Sequence, residues 1–251
     1  AAMTATATIA APPPFAALRN AGLISLFVDF DGTLVDIAPS PEAIVVPPGL
    51  PRRLLQLSEE LDGRLALVSG RSLEDIADHL GAGLPVVQAG SHGLERIGAD
   101  GMSLGADVPV FPDAVRMAVA QYAASARGLH YESKRFGAAL HYRAAPDREA
   151  ACRAFADELA ALYALKVKHG QCVVELVPPE ADKGSAVRAF MRQPPFAGSL
   201  PVFLGDDVTD EDGFRAVAEL GGFGIVVGRK GETLAAYRLE TPAQVYAWLD
   251  L

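Results

Sequence analysis

Cysteine is scarce in this sequence. Cys152 and Cys172 are the only two among 251 residues, too few for a disulfide framework and without metal-ligand spacing, which predicts two buried free thiols in a reducing compartment. Long apolar runs are also missing. No stretch reaches the roughly 18 uninterrupted apolar residues of a membrane span, so a transmembrane role is excluded. The opening AAMTATATIAAPPP has no basic segment ahead of an apolar core, so it does not read as a secretory leader; residues 1–22 are expected to form a disordered or poorly ordered tail. Basic charge is in short supply as well. With 22 Lys and Arg against 31 Asp and Glu, the net charge is −9, which argues against nucleic acid or an anionic membrane as partner. The expectation is a cytoplasmic monomer acting on a small molecule.

What is present is ordinary globular composition, 50% hydrophobic and 21% charged, with length for one large domain or two modest ones. Ile24 to Phe30 is a nearly continuous apolar run, as expected of a strand covered on both faces of a parallel sheet. Helix-spaced leucines from Gly49 to Leu61 follow, then a strand at Leu65–Val68, a helix at Ser72–Leu80 and a strand at Pro85–Ala89. The alternation resumes late, with helices over Lys183–Arg192, Thr209–Leu220 and Thr241–Leu249 and strands over Pro201–Gly205 and Phe223–Val227. This pattern predicts a Rossmann-like, doubly wound α/β core.

The middle of the chain breaks the pattern. A helix over Pro112–Arg127 precedes a hairpin around Phe136–Gly137, and a helix over Asp147–Leu162 precedes a second hairpin turning at Gly170. The α-β-β-α-β-β order predicts an inserted α+β domain over 108–177, flanked by core segments 23–107 and 178–251. Charge divides along the same line. Residues 108–177 hold nine basic against seven acidic residues, which leaves 13 against 24 elsewhere.

Four segments sit where a parallel strand ends, the edge at which open α/β sheets bind ligands. Asp29-Phe30-Asp31-Gly32-Thr33-Leu34 places two carboxylates around a turn that Gly32 permits. Val68-Ser69-Gly70-Arg71 offers a hydroxyl and helix-start amides to an anion, although the same string also serves as a plain helix cap. Asp182-Lys183-Gly184 puts a lysine at a helix N-terminus, against the dipole unless an anion is near. Gly205-Asp206-Asp207-Val208-Thr209-Asp210-Glu211-Asp212 carries five acids in seven positions, a demand for a hard divalent cation. Together these groups suit phosphoryl transfer.

In that order, DFDGTL, VSGR, DKG and GDDVTDED resemble the four motifs of the haloacid dehalogenase (HAD) superfamily of phosphotransferases. The resemblance implies Mg²⁺ as cofactor, Asp29 as nucleophile, Asp31 as general acid/base, and Ser69 and Lys183 holding the phosphoryl group. It also implies Asp206 as metal ligand with Asp29 and Asp31, and less directly Asp207 or Asp210, either of which could act through water. Gly32, Thr33, Gly70 and Arg71 are implied substrate contacts, and the insert resembles a C2B cap. Within the superfamily, the strings Glu132-Ser133-Lys134, His141-Tyr142-Arg143, Val174-Glu175-Leu176 and Gly90-Ser91-His92-Gly93-Leu94-Glu95 are similar to the trehalose-6-phosphate phosphatase family. That resemblance implies a phosphosugar substrate, with Glu132, Lys134 and Glu175 touching the disaccharide; strand alternation is compatible with one gathering face. The alternative is another HAD sugar phosphatase, for sucrose phosphate or a glycosyl phosphoglycerate. His141 and Tyr142 alternate on a strand and stay outside the expected catalytic set. Gly221-Gly222-Phe223-Gly224 precedes a strand instead of following one, so it is not a dinucleotide fingerprint, which disfavours a Rossmann oxidoreductase.

Overall fold

The computed structural model describes residues 8–105, 108 and 110–251. Along the chain run α1 (Phe15–Ala21), β1 (Ile24–Val28), α2 (Leu50–Glu60), β2 (Leu65–Val68), α3 (Leu73–Leu80), β3 (Val87–Gly90) and β4 (Glu95–Ile97). Then come α4 (Asp113–Ala124), β5 (His130–Lys134), β6 (Gly137–His141), α5 (Glu149–Tyr163), β7 (Lys166–Gly170) and β8 (Val173–Val177). The last stretch holds α6 (Lys183–Met191), β9 (Leu200–Gly205), α7 (Glu211–Glu219), β10 (Phe223–Val227), β11 (Tyr237–Leu239) and α8 (Pro242–Leu249). Among the described residues no helix is long and apolar enough to cross a membrane.

The chain divides into two compact units: the described residues up to Leu67 with Val187–Leu251, and those of Val68–Ala186. The first is α/β. Its strands run in the order β11-β10-β9-β1-β2, every pair parallel. All five residues of β1 are buried, as a strand covered on both faces requires. In α2, Leu50, Leu54 and Leu57 line one buried face at helical spacing, and Pro51 sits at the helix start, where its missing N–H costs nothing. Phe27 of β1 stacks on Phe190 and Phe196 with ring centroids 6.4 and 5.3 Å away, tying α6 to the sheet.

Residues 1–22, expected to be a poorly ordered tail, depart from that expectation over their described part. Residues 15–21 form α1, with Phe15 buried against Trp248 at a centroid distance of 5.1 Å. The Trp248 indole N–H donates to Pro13 O at 2.8 Å, and Arg238 N donates to Ala10 O at 2.9 Å. An apolar ring and an indole donor far along the chain give this segment partners that its local composition does not announce. Residues 1–7 lie outside the described residues.

The second unit holds the β3–β4 antiparallel pair and a four-stranded antiparallel sheet in the order β5-β6-β8-β7. Its element order from α4 to β8 is helix-strand-strand-helix-strand-strand. One face of the sheet (Ala138, Leu140, Val174, Leu176) packs with Val115 and Val119 of α4 and Cys152, Ala156 and Ala160 of α5. The other face is left to residues of opposite parity. Both cysteines are free; Cys152 is buried as expected, whereas Cys172 is only half-buried, at φ +59° in the β7–β8 turn.

Candidate active site

In the first unit, β1 and β9 run side by side with Val28 opposite Leu204, so the chain leaves both strands at one edge of the sheet. Asp29 N donates to Leu204 O at 2.9 Å, which carries the pairing one residue past β1. The Asp29 carboxylate is thereby delivered beside the acidic loop that follows β9. Oxygens of Asp29, Asp206 and Asp210 all lie within 4.8 Å of one another. Asp29 and Asp210 are buried, and Asp210 has no solvent exposure.

Two glycines make room for this trio. A Cβ on Gly32 would stand 1.9 Å from Asp206 Oδ2, and its φ of +77° is the left-handed turn that glycine adopts without strain. A Cβ on Gly205 would stand 2.3 Å from Asp210 Cγ. Asp210 is oriented by backbone donors: Asp206 N and Asp207 N both donate to its Oδ2 at 3.0 Å. Asp207 turns instead to cap the helical turn after β9, accepting Val208 N at 2.8 Å. The trio therefore includes Asp210, which the sequence left as a water-mediated alternative, and includes neither Asp31 nor Asp207. Asp31 is half-buried and forms a parallel bridge with Val35. Thr33 is fully buried, and its hydroxyl has no hydrogen-bond partner among the described residues.

Three carboxylates held this close repel one another without a cation between them. The donors are hard oxygens, with no His or Cys in the group, and Gly32 and Gly205 let the Asp206 and Asp210 carboxylates close up on the backbone, a donor set suited to a small divalent ion.

In the second unit, Ser69 is buried at the end of β2; its N–H donates to Ala89 O at 2.9 Å and its hydroxyl accepts Arg71 N at 3.0 Å. The Arg71 guanidinium reaches Asp75 at 2.8 Å, one helical turn on. Gly70 is required by His92, whose ring Cε1 would lie 2.7 Å from a Cβ there. Lys183 is 3% exposed at the first residue of α6, where Asp182 Oδ1 accepts Gly184 N at 2.6 Å and Ser185 N at 3.3 Å. A cation at that end of a helix opposes the dipole.

Glu132, Lys134 and Glu175 do come together. Ala139 of β6 is the register partner of both Glu132 and Glu175, so the two carboxyls lie in one row across the sheet. Lys134 Nζ meets Glu175 Oε1 at 2.6 Å, and His92 Nε2 meets Glu175 Oε2 at 2.8 Å. Burial pushes the Glu175 carboxyl up, but Lys134 and then His92 outweigh it and hold it far below the usual carboxylate range. Burial lowers Lys134, yet Glu175 and Glu132 leave it raised on balance. Glu132 accepts from His141 Nε2 at 2.7 Å, and that bond is the first cause of its lowered pKa. The imidazoles of His92 and His141 were not expected among the carboxylate partners. The only signal in the sequence was their presence in the quoted strings.

A parallel α/β sheet with a carboxylate trio at its edge is the plan of the HAD superfamily, and the fold matches that class. A subclass IIB sugar phosphatase of the superfamily superposes with a TM-score of 0.60 over 88% of this chain and 94% of its own, at 13% identity. The C-terminal domain of Candida albicans trehalose-6-phosphate phosphatase gives a TM-score of 0.84 at 25% identity, covering 98% of each chain. The family model for trehalose-phosphatase matches residues 27–243, and the Escherichia coli trehalose-6-phosphate phosphatase is 39% identical over 234 residues, 90% of this chain and 85% of that one. The chain belongs to the trehalose-phosphatase family.

Proposed function

We propose that the protein is a Mg²⁺-dependent phosphatase that hydrolyses trehalose 6-phosphate to trehalose and phosphate through a phosphorylated Asp29. The observation that carries this reading is the Asp29, Asp206 and Asp210 trio at the edge of the parallel sheet. Membership of the trehalose-phosphatase family and the relatives' named substrate support the choice of sugar.

Asp29, Asp206 and Asp210 would hold the metal, with Asp31 through its backbone carbonyl and Asp207 through water; the ion supplies positive charge against the phosphoryl oxygens. An Asp29 carboxylate oxygen attacks phosphorus as the bond to the sugar oxygen breaks. Asp31 gives its proton to the departing sugar oxygen, then takes one from the water that attacks the phosphorylated Asp29, and phosphate leaves. Ser69, Lys183, the Thr33 hydroxyl and the amides around Gly32, Gly70 and Arg71 receive the phosphoryl oxygens. Residues 108–177 form the cap, in which Glu132, Lys134 and Glu175 are the groups that meet the disaccharide. Ionised carboxylates and an ammonium accept from and donate to paired hydroxyls.

Phosphate release from a panel of phosphosugars, with Mg²⁺ and after exhaustive chelation, tests the reading. Trehalose 6-phosphate should be preferred, and chelation should silence the enzyme until Mg²⁺ is restored; Zn²⁺ should substitute poorly at all-oxygen donors. A preference for sucrose phosphate or a glycosyl phosphoglycerate would reassign the substrate, and full activity after chelation would remove the metal.

A further inference from the structure

His92 occupies an unusual turn. Ser91 and His92 adopt φ values of +49° and +56°, and Gly93 follows at +93°. Two consecutive non-glycine residues in the left-handed region are held only where surrounding bonds over-determine them. Those bonds are present. Ser91 N donates to Arg71 O at 2.7 Å and His92 N to Ser69 O at 3.0 Å. Glu95 Oε2 accepts from the Ser91 hydroxyl at 2.7 Å and from Leu73 N at 3.1 Å. The turn is thus stitched to the Ser69–Arg71 loop, and Gly70 lacks the Cβ that would strike the imidazole.

The ring is aimed at one group. His92 and Glu175 side chains are 8% and 9% exposed, and Nε2 lies 2.8 Å from Oε2, while the other carboxylate oxygen is taken by Lys134. The similar His141–Glu132 contact is far more open, at 27% and 34%. An ionised Glu175 can only accept, so Nε2 carries the hydrogen. Nδ1 is buried with no hydrogen-bond partner among the described residues. Core filling alone would be served as well by an apolar ring, without burying that lone nitrogen.

We propose that His92 is a positioning residue, which anchors the Glu175 carboxylate from the Ser69–Arg71 side and so fixes the Glu175–Lys134 pair in the orientation that receives the sugar. This rests on the reading above that Glu175 and Lys134 contact the disaccharide, and it adds a link between the phosphate loop and sugar recognition. Substrate selectivity is then partly set by a residue outside the antiparallel sheet.

The test uses the full chain carrying His92→Phe, which keeps a ring and removes the donor, and His92→Gln, which restores an N–H of similar reach. With folding checked by melting, His92→Phe should lower kcat/KM for trehalose 6-phosphate by roughly tenfold to hundredfold, and leave a small aryl phosphate within about twofold. His92→Gln should recover part of the loss. His92→Phe combined with Glu175→Gln should be no worse than Glu175→Gln alone, as expected of residues acting through one contact. In the unmodified chain, ¹⁵N-histidine spectra should show His92 protonated at Nε2, a readout that does not depend on any variant folding. An Nδ1–H tautomer, an additive double variant or a parallel fall of both substrates overturns the proposal. Loss of trehalose 6-phosphate turnover on Glu175→Gln but not on His92→Phe overturns it alone. If Glu175→Gln itself leaves that turnover intact, the sugar-contact reading falls first and this inference with it.

Discussion

Asp29 and Asp31 stand two residues apart, yet only Asp29 joins the carboxylate trio, and their replacements should differ accordingly. Asp29→Asn should abolish turnover and leave no phosphoenzyme, because an amide oxygen is a poor nucleophile. Asp31→Asn keeps the nucleophile and loses the proton donor, for a fall of about 10²-fold or more. Rapid quench with labelled substrate separates the two. Glu175 makes a different prediction. Its folded-state pKa lies below its ordinary 4.5, so the stability it contributes is present above pH 4.5 and is lost as pH falls through the folded value. The melting temperatures of the parent chain and Glu175→Gln should therefore converge as pH drops below that point. A gap that stays constant would show that Glu175 is not held by charge. At this scale the sequence was legible for residue type and less so for role. The acids after β9 announced a cation, but which of Asp207 and Asp210 turns inward depends on where the N–H groups of Asp206 and Asp207 point. His92 was illegible because its reach depends on a left-handed turn.

Among the elements, β1 and β10 were plain from their apolar runs, and β10 has the limits predicted for it, Phe223–Val227. The three-residue strands β4 and β11 escaped, since segments that short carry no periodicity and form by pairing onto an existing neighbour. Helix α1 escaped for a related reason, because Phe15 finds Trp248 only in the folded chain. Removing residues 1–22 should accordingly lower the melting temperature, and Trp248→Phe should reproduce part of the loss by deleting the donor to Pro13 O. A truncated chain as stable as the parent would return the segment to a tail. Helix α8 also reaches the loop that follows β1: the Tyr246 hydroxyl, its pKa pushed up to about 12 by burial, donates to Leu34 O. Tyr246→Phe should cost about 1 kcal/mol in denaturant unfolding. No change would mean that this bond does not hold the loop.

Across the whole molecule, the carboxylate trio and the three residues proposed to meet the sugar fall in different units, while Ser69 and Lys183, proposed to hold the phosphoryl group, share the second unit with the latter. The carboxylate trio belongs to the unit that holds the parallel sheet, and Glu132, Lys134 and Glu175 to the unit that holds the antiparallel one. The parallel–antiparallel switch and the shift from acidic to mildly basic composition pointed in the sequence to an insert over 108–177, whereas the second compact unit runs over Val68–Ala186. Hydrolysis and sugar selection should therefore separate by mutation. The most direct measurement is the ratio of kcat/KM for trehalose 6-phosphate to that for a small aryl phosphate, in Glu132→Ala, Lys134→Ala and Glu175→Ala. Each lost charge-assisted contact is worth about 1.5–3 kcal/mol, so trehalose 6-phosphate should fall roughly 10- to 150-fold while the aryl phosphate changes little. A parallel fall of both substrates would contradict the account, because these residues would then support the fold or the metal instead of the sugar.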